Sequence, residues 1–216
     1  MFIFRALLYL ILVAVVAQMV TFEGFQQLTS AQYSEQSMVE HLQSALLLVA
    51  CTLFYFSARL HDGFKIAANL TAALLAMMLV RESDAVLDTY VFDGAWQMLV
   101  SLIIALTLFS LRGQFRAIYA SLKEYSQHSS FGIFLAGLVT VLAFSRLMGQ
   151  GAFWHALMGE GYMRVVKNVV EEGIETLGYT LIVIAASELL VCCWSYQKKH
   201  QLQVAKNHRV LKEASA

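Results

Sequence analysis

Six runs of apolar residues alternate with short polar segments along the chain. They cover Ala6–Phe22, Leu42–Ala58, Ile66 up to Arg81, Ala95–Leu111, Ser130–Ser145 and Thr176–Gln197, the last interrupted at Glu188. A helix rises 1.5 Å per residue, so crossing a hydrocarbon core of ~30 Å takes about 20 residues. The first five runs are fifteen to seventeen residues long and must borrow flanking residues to span. Their polar ends therefore lie at or just inside the membrane boundary. The pattern predicts an all-α polytopic integral membrane protein: a six-transmembrane-helix bundle over residues 1–197, followed by a basic tail at 198–216.

The first run has a second reading. Arg5, an apolar stretch and Val-Val-Ala before Gln18 also match a signal peptide cleaved after residue 17.

Composition agrees with the membrane class. The 216 residues are 59% hydrophobic and 14% charged, against about 25% charged in soluble domains. Mean hydropathy is +0.63. Fifteen basic and fifteen acidic residues cancel, which argues against a nucleic-acid partner. Three cysteines are too few for a disulfide scaffold.

The charges are sorted by side. With six spans, one set of connections holds Arg5, Arg59, Lys65, Arg112, Arg116, Lys123, Lys198, Lys199, Lys206, Arg209 and Lys212. The positive-inside rule puts that side, and both termini, in the cytoplasm. Short loops point to a bacterial inner membrane. Glu23, Glu35, Glu40, Glu82, Asp84, Asp88, Asp93, Glu160, Glu171, Glu172 and Glu175 fall on the other, outer side.

Several of these acids sit at span ends rather than in loops. Glu40 and His41 open the second span, Arg81, Glu82 and Asp84 close the third, Arg146 closes the fifth, and Lys167, Glu171, Glu172 and Glu175 open the sixth. Ionisable groups at membrane depth face the bundle interior and mark functional sites by default. Lys167, Glu171 and Glu175 are spaced by four and share a helix face. Gly173 and Gly178 leave room for a close neighbour.

Three chemistries follow from this polar, acidic site. One is an ion-pair scaffold, with Arg81, Arg146, Arg164 and Lys167 pairing with Glu40, Glu82, Glu171 and Glu175. This reading makes the chain a subunit or assembly protein that docks another membrane or periplasmic protein. The second is a divalent metal such as zinc, held by His41, Glu82, His155, Glu171 and Glu175 in a membrane hydrolase. The third is a small cation or proton conductor, in which Glu188 is the one acid deep in a span. Glu188 also reads as a buried hydrogen-bonded side chain, and Asn69 and Gln97 as interhelical hydrogen-bond partners. No His-Glu-x-x-His, Gly-x-Ser-x-Gly or Cys-x-x-Cys is present, so no catalytic residue is assigned and no organic cofactor is expected. The glycine-rich segment 147–164 reads as a flexible loop, or as a lid carrying Trp154 and His155.

Overall fold

A computed structural model describes residues 2–30 and 38–214, and every regular element among them is helical. In chain order these are α1 (Phe2–Ser30), α2 (Met38–Leu60), α3 (Lys65–Glu82), α4 (Asp84–Tyr90), α5 (Ala95–Ser110) and α6 (Phe115–Ser126). After them come α7 (Ser129–Val139), a π-helical turn (Thr140–Phe144), α8 (Ser145–Met148), α9 (Gly151–Met158), a 3-10 turn (Gly159–Gly161) and α10 (Arg164–Ala214).

Four of these stretches are long and apolar enough to cross a membrane: Ile3–Gln27, Met38–Leu60, Ser129–Met148 and Arg164–Val204. The third and fourth apolar runs give shorter helices. α3 has 18 residues and carries Lys65, Arg81 and Glu82 at its ends. α5 has 16 and is bent by 114° from α4, and the pair taken as one broken span would make a fifth. The last helix begins at Arg164, ahead of the charged residues Lys167, Glu171, Glu172 and Glu175 expected to open it. The segment expected as a loop at 147–164 contains α9, in which Ala152, Ala156, Leu157 and Met158 are good helix formers. Glu35 lies outside the described residues.

α10 is the central element, packed against α1, α2 and α7. α2 packs in turn on α3, and α3 on α5 and α6. Small residues permit these approaches: Ala50 on α2, Ala67, Ala68 and Ala72 on α3, and Ala185 and Ala186 on α10 are all buried. An aromatic group closes one end of the core, with Phe54 edge-on to both Tyr125 and Phe134. At the α7–α10 crossing, Gly137 and Gly178 face each other. A Cβ on Gly178 would lie 2.9 Å from the Gly137 carbonyl oxygen and 3.2 Å from the Val141 nitrogen.

Buried polar groups stitch the helices. The Ser121 hydroxyl donates to the Gly63 carbonyl (2.7 Å) and accepts from the Ala67 N–H (3.1 Å), which satisfies a free donor at the start of α3. Ser130 donates to the Ala185 carbonyl (2.7 Å), so the Tyr125 hydroxyl donates to Ser130 (3.3 Å). Burial holds the Tyr125 phenol protonated, with its pKa pushed up to about 12. Glu23 of α1 accepts from the Val39 N–H at the head of α2 (2.8 Å), where a carboxylate also complements the helix dipole.

Candidate functional site

Two polar joints lie along α10, one at Glu175 near its start and one at Glu188 near its middle. The first is built around Glu175, which is only 8% exposed. Its Oε1 accepts from the Ser145 hydroxyl and from Arg146 Nη2, both at 3.1 Å. The π-helical turn sets this up. It inserts one wider turn just before α8, and Ser145 and Arg146 are the first residues beyond it. Such turns recur at functional positions because they re-aim the side chains that follow. The Val141 carbonyl inside the π turn also lies within reach of the Ser145 hydroxyl, so the two acceptors share its single proton.

Next to Glu175, the Tyr179 hydroxyl donates to Glu82 Oε1 at 2.9 Å, linking α10 to the end of α3. Lys167 Nζ pairs with Glu171 Oε2 (2.9 Å) and reaches the Gly149 carbonyl (3.4 Å). The Glu171 carboxylate packs over Gly149, where a Cβ would collide with it. On the α2 side, Gln43 Nε2 donates to the Glu172 carbonyl (3.2 Å) and to the Thr176 hydroxyl (3.0 Å).

The structure thus brings Glu82, Arg146, Glu171, Glu175 and Lys167 into pairs linked through α10. It does not assemble the expected metal ligands. Among the described residues, no group of three or more His, Cys, Asp or Glu side chains is placed to hold a metal ion. His155 is exposed on α9 and stacks on Tyr162 at 3.7 Å between ring centroids, and His41 is exposed on α2. Arg81 and Asp84 are exposed at the α3–α4 junction, where the Asp84 carboxylate accepts from the Ala85 N–H. Glu40, Arg164 and Glu172 each have interaction partners of their own. Asn69 and Gln97 are exposed rather than bonded between helices.

The second joint surrounds Glu188. Its two oxygens accept from Arg5 Nη1 and from the Tyr9 hydroxyl, each at 2.8 Å. α1 has few other polar ties, since most of its surface is exposed. Glu188 is therefore a half-buried side chain paired with a cation and hydrogen-bonded to a phenol.

Sequence reasoning missed Tyr179, Ser145 and Tyr9. Tyr179 had a readable signal: it stands four residues after Glu175 and extends the same face. Ser145 and Tyr9 had none, because their roles depend on the π turn and on which helix α1 lies against.

Fold and site together define an all-helical protein with several helices long and apolar enough to cross a membrane, braced at two depths by ion pairs. No family model matches the chain, and no curated protein and no solved structure shows significant similarity to it.

Proposed function

We propose that the protein is an interaction subunit or assembly factor of a membrane complex, set in a bacterial inner membrane with six spans and both termini cytoplasmic. The observation that carries this reading is the length of α10. It runs for 51 residues, about 77 Å at 1.5 Å per residue, more than twice the ~30 Å of a hydrocarbon core. The surplus forms an arm beyond the bundle. Residues 198–204 of that arm are exposed, and its sequence carries Lys198, Lys199, Lys206, Arg209 and Lys212. A stiff basic helix fixed to a membrane bundle is suited to present a surface to a partner. The paired state of Glu171 and Glu175 supports the companion idea that the acids at the other end act as structural glue.

Six spans are favoured by the packing of α3. It is joined to α2 by the short turn at 61–64 and packs along it. Its 18 residues reach ~27 Å, close to the core thickness.

The test is the size of the assembly released by mild detergent. The full chain is expected in a complex larger than its own 24.1 kDa and micelle. A chain ending at residue 197 is expected to leave that complex while keeping its melting temperature. Retention of the complex by the shortened chain would refute the reading. Metal content of the same preparation, measured by plasma mass spectrometry, addresses the alternative of a metal-dependent hydrolase. Near-stoichiometric metal that is lost on Glu171→Gln/Glu175→Gln would replace the docking function with that one. Cation or proton flux in liposomes, abolished by Glu188→Gln, would favour the conductor.

A further inference from the structure

α5 touches α3 tightly only at its start, where Ala95 is its one buried residue. Toward the other end the two helices part, and a groove of about 440 Å³ opens between them. The connection at 111–114, turned by Gly113 at φ +80°, closes that end of the groove. Lys65 and Asn69 line one wall, Ser110 and Gln114 the other, and Leu70 and Leu106 continue the walls as apolar surface. No acidic residue lines it.

The hydrogen-bonding inventory of the groove is lopsided. The Ser110 hydroxyl donates to the Leu106 carbonyl (2.8 Å), and Gln114 Nε2 donates to the Ser110 carbonyl (3.0 Å), so these donors are already used. The side chains of Lys65 and Asn69 are exposed and make no hydrogen bond or ion pair among the described residues. Glu124, whose carboxylate lies against Gly63, does not pair with Lys65. The groove therefore offers an ammonium with no carboxylate among its lining residues to pair it, and a carboxamide N–H beside it. Arg112 and Arg116, on the chain that leaves α5, are two more exposed cations without an ion pair among the described residues. Beside this polar end, Leu102, Leu106 and Phe109 form an exposed apolar flank on α5.

We propose that the α3–α5 groove binds an anionic glycerophospholipid, with the phosphodiester on Lys65 and Asn69 and an acyl chain along Leu70 and Leu106. A phosphodiester supplies the negative charge that the groove lacks, and its oxygens can accept from the Lys65 ammonium and the Asn69 N–H. The attached chain extends over the apolar flank, which a free phosphate would leave bare. A lipid here would fill the gap between helices that otherwise meet only near Ala95, and so would brace α5. This inference rests on the membrane setting and is independent of any partner docked on α10.

The test uses the delipidated full chain in neutral detergent. Thermal unfolding is followed while phosphatidylglycerol, phosphatidylcholine with the same acyl chains, or glycerol 1-phosphate is added. Phosphatidylglycerol is expected to bind about fivefold or more tighter than phosphatidylcholine, the ratio set by ~1 kcal/mol per basic group near an anionic headgroup. Lys65→Gln should erase that preference and Lys65→Arg should keep it. Asn69→Leu, a change at an exposed position, should weaken phosphatidylglycerol binding in a second, independent variant. Equal protection by both lipids, an undiminished preference in Lys65→Gln, or a shift by glycerol 1-phosphate as large as that by the lipid would each overturn the proposal.

Discussion

Replacing Gly178 by alanine tests whether the α7–α10 crossing is set by direct backbone contact. The added methyl group would lie 2.9 Å from the Gly137 carbonyl oxygen, 3.2 Å from the Val141 nitrogen and 2.5 Å from Val141 Cγ2. Ordinary contacts begin near 3.4 Å. The Val141 side chain can rotate away, but the two backbone atoms cannot move without separating the helices. Overpacking of this kind costs about 1–3 kcal/mol. Alanine returns up to ~1 kcal/mol of helix propensity, so the net loss is about 1–2 kcal/mol. Gly132→Ala is the internal control. It lies in α7, and a Cβ there meets nothing within 4 Å. That variant gains the propensity term alone and is expected to be as stable as the parent or up to ~1 kcal/mol more so. The propensity term is common to both, so reversible unfolding in mixed micelles should separate the two variants by the overpacking cost, about 1–3 kcal/mol. The same displacement would draw Arg146 away from Glu175, since α8 continues α7 through the π turn. Equal stability of the two alanine variants would refute the close crossing and the account of how Arg146 reaches its partner.

Other consequences are checked as directly. Arg146→Ala leaves Glu175 buried with only the Ser145 hydroxyl. Breaking a fully buried pair costs about 3–5 kcal/mol, but the Arg146 side chain is 47% exposed, which lowers the expected loss to about 1–2 kcal/mol. A double-mutant cycle with Glu175→Gln should show coupling above ~0.5 kcal/mol, and additive losses would exclude the pair. At the other joint, Arg5→Ala combined with Tyr9→Phe removes both donors to Glu188. Hydrogen exchange in the first half of α1 should then speed up relative to α2, and unchanged protection would show that α1 is held by apolar contacts alone. His128 caps α7 by accepting from the Ser130 N–H at 3.2 Å, and burial lowers its pKa although Glu188 acts in the opposite direction. A lowered pKa means that the unfolded chain binds the proton more readily. Stability is therefore kept at neutral pH and falls as pH drops through the ordinary histidine range near 6.5. His128→Asn keeps a capping acceptor without a titrating group, and should flatten that slope in melts between about pH 7 and 5. A slope that persists belongs to another group.

What could be read from the residues follows the physics of each signal. Apolar runs report burial against lipid or core, and they located α1, α2, α7 with α8, and the middle of α10. They gave the ends less well, because a helix continues through charged residues wherever those residues pair along one face. Lys167 and Glu171 do so, within an α10 that starts at Arg164. The four-residue spacing that revealed the Lys167–Glu171 pair also predicted a shared face for Glu175. It could not say that Glu175 would turn to Arg146, because that choice depends on a π turn whose sequence, Thr-Val-Leu-Ala-Phe, looks like any apolar helix. The metal reading finds no converging group of ligands among the described residues for a related reason. Listing His41, His155, Glu82, Glu171 and Glu175 at one side assumed that helix ends at one depth also converge laterally. His41 and His155 instead lie exposed, while Glu82 is drawn toward Tyr179.

The two joints differ in a way that bears on what the bundle can do. At Glu175 a carboxylate is held by a serine and an arginine that arrive on one short helix, and a tyrosine one turn away ties in α3. Three helices are fixed there together, so movement of any one must break a buried contact. At Glu188 both donors come from α1 alone, a helix that packs mainly on α10 and is otherwise exposed. Loss of that joint would leave the α2–α3–α7–α10 core intact and α1 still tied to the head of α2 through Glu23. The Glu188 joint also lies on the same helix as the projecting arm, so α10 connects them directly.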